Sequence, residues 1–124
     1  MLAKAPVRVM VVEDHPQFQE LVRLVLSLDP QFQVVSSAET GEDALQQIAL
    51  SHPDLVLLDF RLPGIDGIET ARRIKKEHPA IKIALVTAHS EEVLGRLAKE
   101  AQILEVIPKA NFSLEWARKL VESL

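Results

Sequence analysis

Short apolar runs rich in β-branched residues recur five times along the chain, each followed by a stretch with apolar residues at helical spacing. The runs occupy 7–12, 33–37, the segment from Leu55 that stops at Asp59, 81–86 and 103–107. The helical stretches carry Phe18, Leu21, Val22, Val25 and Leu28; Ala44, Leu45, Ile48 and Ala49; Ile68, Ala71 and Ile74; then Val93, Leu94, Leu97, Ala98 and Ala101. The last has Leu114, Ala117, Val121 and Leu124 on one stripe, with Trp116 and Leu120 beside it. Punctuation agrees with this division. Pro16 suits a first helical turn. Asp29-Pro30, His52-Pro53 and His78-Pro79 end helices, because the residue before proline avoids the helical region. Thr40 with Asp43, and Asp66 with Glu69 as its reciprocal partner, have the spacing of caps, and Ser90 is a third cap candidate.

Strand and helix alternating with short loops predict an α/β fold, a doubly wound parallel five-stranded sheet with helices on both faces. The expected strand order is 2-1-3-4-5. Pro108 then falls on an edge strand, where a missing N–H costs no ladder bond. With 124 residues and no linker or low-complexity segment, the expectation is one domain over 1–124 with no output domain.

In such sheets ligands sit beyond the carboxyl ends of the strands. The third run is apolar on consecutive residues, as a strand buried on both faces must be, and stops at a carboxylate, Asp59. Pro63, Gly64, Asp66 and Gly67 follow as turn chemistry. Strand 1 is the expected neighbour of strand 3, and it ends in Glu13-Asp14. Three carboxylates in one place repel unless a cation lies between them. An oxygen-rich set open to water favours Mg2+, or Mn2+, over Zn2+. Strand 4 ends in the hydroxyl of Thr87 and strand 5 in the ammonium of Lys109. A carboxylate nucleophile, a divalent cation, a hydroxyl and an ammonium suit phosphoryl transfer. Any one of these alone is ordinary turn, cap or surface chemistry; their placement at one end of the sheet carries the reading.

Composition removes competing classes. The net charge of −4 argues against a nucleic-acid surface, and Arg72-Arg73 with Lys75-Lys76 read as the wet face of a helix. With no cysteine there is no disulfide, thiolate nucleophile or cysteine-based zinc site. No apolar run approaches the roughly 18–20 residues of a membrane span, and residues 1–6 have no signal-peptide core. The expected location is the cytoplasm, with no membrane partner.

The chain resembles the receiver domain of two-component response regulators over nearly its full length. The resemblance rests on Leu57-Leu58-Asp59 through Pro63, Asp66 and Gly67, together with Glu13-Asp14, Thr87-Ala88 and Lys109. Asp14-His15-Pro16 with Phe18 is similar to receivers that precede helix-turn-helix DNA-binding domains. The resemblance implies a flavodoxin-like fold and a phosphoacceptor, not an enzyme in its own right beyond self-catalysed phosphotransfer and dephosphorylation. It implies Asp59 as the acceptor from a histidine kinase or phosphotransfer protein, and Mg2+ held by Glu13, Asp14, Asp59 and the backbone carbonyl of Arg61. It also implies Lys109 and Thr87 on the phosphoryl group, and a protein output partner engaged through the region from the fourth to the fifth helix. A homodimer is compatible with that role. Arg61 and His89, each two residues past a site residue, are candidate modulators; His15, His52 and His78 are expected to be solvated.

Three positions depart from the family pattern. Val106 stands where a Tyr or Phe is usual, Gln102-Ile103 where Gly-Ala is usual, and Ala110 follows Lys109 where Pro is usual. The Lys109–Ala110 bond is therefore expected to be trans. All three fall between the fourth and fifth helices, where Trp116, Leu104 and Ile103 are candidates for an apolar contact surface. A phosphorylation-independent interaction module is accordingly the second reading. A small-molecule phosphatase or flavin protein is the third; it lacks a glycine-rich loop after strand 1 and a second Asp where Arg61 stands.

Overall fold

The computed structural model describes residues 5–88 and 92–124. Its elements are β1 (Val7–Val12), α1 (Pro16–Ser27), β2 (Phe32–Ala38), α2 (Gly41–Ser51), β3 (Leu55–Leu58) and α3 (Gly67–Glu77). They continue with β4 (Lys82–Thr87), α4 (Glu92–Glu100), β5 (Glu105–Pro108), a 3-10 turn (Lys109–Asn111) and α5 (Leu114–Glu122). The strands are parallel in the order β2-β1-β3-β4-β5, as the alternation predicts. Pro108 pairs with Thr87 on the β5 edge.

Alternate residues of each strand point to opposite faces, and the core divides accordingly. Met10, Val12, Val56, Leu58, Ile83 and Leu85 pack with Ile48, Ile74, Leu94 and Ala98 of α2, α3 and α4. Val9, Val11, Leu55, Leu57 and Ala84 pack with Val22, Leu26, Ala117 and Leu120 of α1 and α5. β3 is buried at every residue, which explains its unbroken apolar run.

Several sequence expectations shift. On α1 the buried residues are Val22 and Leu26, while Leu21, and Leu28 just past its end, are exposed. Leu26 is the better fit because it follows Val22 by one turn on the side facing the sheet. Ala49 and Val93 face outward, and Leu124 is exposed. β5 begins at Glu105, since Ile103 belongs to the turn after α4 and inserts into the core. Thr40 and Asp66 cap α2 and α3 by accepting from the N–H groups of Asp43 and Glu69. The Glu69 carboxylate, however, accepts from Arg73 at 2.9 Å instead of reaching back to Asp66. That pairing keeps Arg73 on the wet face of α3. Ser90 and His89 lie outside the described residues.

The α4–β5 turn is made by Gln102 at φ +62°, so the chain takes a left-handed conformation there without a glycine. No peptide bond among the described residues is cis, in accord with a trans Lys109–Ala110 bond.

Candidate functional site

The loops at the carboxyl ends of β1, β3 and β5 deliver their charged residues to one place. Glu13 follows β1 directly, and its N–H bonds the Ala38 carbonyl at 2.9 Å. Gln19 of α1 donates to the carbonyls of Glu13 and Ala38, tying the ends of β1 and β2 together. Asp59 follows β3, and its N–H bonds the Val12 carbonyl at 3.0 Å. Both acids are thus continuations of central strands, which fixes their backbones. Gly67 opens α3 and donates to the Phe60 carbonyl at 2.7 Å. A Cβ on Gly67 would meet the Asp59 carbonyl oxygen and come within 2.8 Å of Phe60 Cα, so only glycine lets α3 start this close. Gly64, at φ +78°, reverses the loop between them.

Lys109 Nζ stands 2.6 Å from Glu13 Oε1 and 3.1 Å from Asp59 Oδ2. The two carboxylate side chains are only 3% and 4% exposed, so water screens this pairing weakly. Burial pushes the Lys109 ammonium down, but hydrogen bonding and charge from Glu13 and Asp59 outweigh it and hold the group above its ordinary value. The ammonium also lies 4.9 Å from the centroid of the Phe18 ring, a cation–π contact from α1. Thr87 is fully buried at the end of β4.

Glu13, Asp14, His15 and Asp59 each offer a ligand atom, all within 4.8 Å of one another. Among the described residues, three carboxylates against the ammonium of Lys109 leave two negative charges uncompensated. Asp14 Oδ1 is buried without a hydrogen-bond partner, while Glu13 Oε1 has only the Lys109 ammonium, 2.6 Å away. An orphaned carboxylate oxygen beside a net charge of −2 fits a divalent cation with oxygen ligands.

The structure therefore brings together Glu13, Asp14, Asp59 and Lys109. Arg61 is exposed, its guanidinium 6.0 Å from the Phe60 ring centroid. His15 is solvated as expected, its side chain 66% exposed, and it makes no side-chain cap on α1. Its contact with the site was missed: Nδ1 reaches the rim of the pocket, 3.0 Å from Glu13 Oε2, 3.4 Å from Asp14 Oδ1 and 3.4 Å from Lys109 Nζ. The available signal was its direct adjacency to the acidic pair. Ile103 is likewise withdrawn from the proposed contact surface, being buried, while Leu104 is exposed and Trp116 half-buried.

Comparison with known proteins agrees with this geometry. The family model for the response regulator receiver domain matches residues 9–120. A protein-glutamate methylesterase/protein-glutamine glutaminase of Syntrophus aciditrophicus is 39% identical over 111 residues, covering 86% of this chain and 31% of that protein. A probable transcriptional regulatory protein NarL of Mycobacterium tuberculosis is 40% identical over 88 residues, covering 71% of this chain and 41% of that protein. The chain thus spans less than half the length of these curated relatives. The solved signal receiver domain of NarL from M. tuberculosis superimposes with a TM-score of 0.88 at 32% identity, covering 97% of this chain and 96% of that one. The parallel sheet, the acid pair after β1, the acid after β3 and the lysine after β5 thus have one shared explanation: the chain belongs to the response regulator receiver domain family of two-component systems.

Proposed function

We propose that the chain is a phosphoacceptor whose acceptor is the carboxylate of Asp59. The observation that carries this reading is the Lys109 ammonium held between Glu13 and Asp59 in a pocket that keeps two uncompensated negative charges. An oxygen of Asp59 attacks phosphorus on a phosphohistidine of a kinase or phosphotransfer protein. The phosphorus–nitrogen bond breaks, an acyl phosphate forms, and the departing imidazole takes up a proton. Lys109 meets a phosphoryl oxygen, and the Thr87 hydroxyl, at the end of β4, orients the group. Glu13, Asp14, Asp59 and the Arg61 carbonyl would hold Mg2+, or Mn2+, which would supply charge neutralisation for the transfer. The cytoplasm is the location this reading assigns; no helix among the described residues is long and apolar enough to cross a membrane. Added phosphate charge redistributes Lys109, and the region from α4 to α5 relays the change to a protein output partner.

The test is incubation with Mg2+ and acetyl phosphate followed by intact mass. A single phosphoryl adduct, absent from Asp59→Ala, is expected; an adduct that persists in Asp59→Ala, or none in the parent chain, defeats the reading. The phosphorylation-independent interaction module is the second reading, favoured by Val106, which puts no aromatic ring on β5. An output partner that binds equally well with and without beryllofluoride would select it.

A further inference from the structure

His15 is the one site group to which the phosphoacceptor reading gives no role. Its ring is not committed to the helix it precedes, since α1 begins on Pro16 with no side-chain cap. Its backbone N–H donates to Glu13 Oε2 at 3.1 Å, which keeps the ring over the pocket. Nδ1 faces two incompatible neighbours. The Glu13 carboxylate at 3.0 Å asks for an N–H, while the Lys109 ammonium at 3.4 Å asks for a lone pair. A cation among these groups resolves the conflict: Nδ1 turns its lone pair to the ion, and Glu13 Oε2 keeps the backbone N–H. The spacing suits this. Donors bound to one ion at about 2.1 Å in octahedral positions lie about 3 Å apart, and Nδ1 is 3.0 Å from Glu13 Oε2 and 3.4 Å from Asp14 Oδ1.

Resting on the cation reading above, we propose that the His15 imidazole is a nitrogen ligand of the acidic site, selectively raising its affinity for borderline divalent ions such as Ni2+ and Zn2+ over Mg2+. Carboxylate and carbonyl oxygens serve Mg2+, whereas imidazole serves the later transition ions and adds little for Mg2+. Any oxygen site already binds Ni2+ more tightly than Mg2+, so the mark of His15 is a change in that ratio. A residue that merely screened or packed against Glu13 would alter both ions alike.

The experiment is calorimetric titration of the full chain with Mg2+ and separately with Ni2+, on the parent, His15→Ala and Asp14→Asn. His15→Ala is expected to weaken Ni2+ binding by about tenfold or more and to leave Mg2+ within about twofold. Asp14→Asn is expected to weaken both. Long-range proton–nitrogen NMR of the parent chain with Zn2+ gives a readout that needs no variant: the Nδ1 resonance of His15 is expected to shift on binding. Equal weakening of both ions by His15→Ala, no weakening of either, or an unshifted Nδ1 overturns the proposal and leaves the cation site standing. Ni2+ binding untouched by Asp14→Asn places that ion on other histidines and also overturns it. A parent chain that binds neither ion overturns the cation reading itself.

Discussion

Lys109 is the residue on which the site balances. Replacing it with Met keeps the stem and leaves Glu13 and Asp59 facing each other unpaired; a loss on the order of 3 kcal/mol is expected in urea unfolding at neutral pH. The pH dependence has a definite sign. Because the folded state holds the ammonium above its ordinary 10.5, its contribution is complete below that value. It is lost as pH climbs through the higher folded value. The stability gap between the parent and Lys109→Met is therefore expected to be flat from neutrality upward and to close only above about 10.5. A gap that closes near neutrality would mean that Lys109 is not held by these carboxylates. Gln102 makes the opposite case, a residue the fold tolerates at a cost. At φ +62° it sits where a side chain is disfavoured, so Gln102→Gly is expected to raise stability by roughly 0.5–1 kcal/mol. At this scale the sequence was legible wherever residue type and chain position together implied a role, as they did for Asp59, Glu13 and Lys109. His15 was not legible in this way, because whether an imidazole beside a helix start turns to the helix or to the pocket depends on a side-chain torsion that spacing does not encode.

Among the elements, the strands were the most legible and the helix faces less so. β3 is buried on both sides and its sequence has no polar interruption, so its limits were clear. α1 and its C-cap carry leucines or valines at 21, 22, 24, 25, 26 and 28, which offers two overlapping stripes at helical spacing. Only the fit against α5 and the sheet selects Val22 and Leu26. The start of β5 moved for a related reason, because the apolar run from Ile103 holds a turn residue and a core residue before the strand proper. The glycines give a sharp test of what the helices require. Gly95 of α4 is exposed, with nothing within 4 Å of where its Cβ would be. Gly95→Ala is expected to stabilise by up to about 1 kcal/mol through helix propensity alone. Gly67→Ala is expected to destabilise by about 1–3 kcal/mol, since the clash is with backbone that cannot give. Because that backbone belongs to Asp59, the same variant should also slow adduct formation. Urea unfolding and the rate of mass gain test the pair; a neutral Gly67→Ala would show that α3 can retreat without disturbing Asp59.

Across the whole molecule, the proposed phosphorylation of Asp59 needs a route to the edge of the sheet that does not use Val106, which offers no ring to carry it. The side chains provide another route. Lys109 lies over Phe18; the Phe18 and Phe112 rings meet edge-on at 6.1 Å; Phe112 meets Trp116 at 5.8 Å. The Trp116 indole N–H donates to Glu105 Oε1 at 3.0 Å, on the edge strand β5. Any displacement of the ammonium changes what Phe18 packs against, and these partly buried rings, each in contact with the next against the core, can pass the shift on. A backbone route competes with it, through the 3-10 turn in which Phe112 N–H bonds the Lys109 carbonyl at 3.1 Å. A double-mutant cycle separates the two routes. Trp116 is the sole tryptophan, and its emission reads the far end directly. Lys109→Met is expected to shift that emission in the parent background. In Phe18→Leu, which breaks the ring route and leaves the turn intact, the shift is expected to vanish. A shift of equal size in both backgrounds would assign the coupling to the turn and leave Phe18 as packing. Acetyl phosphate with Mg2+ should move the emission in the same Phe18-dependent way, which ties the ring route to the phosphorylation event and not merely to the loss of a charge.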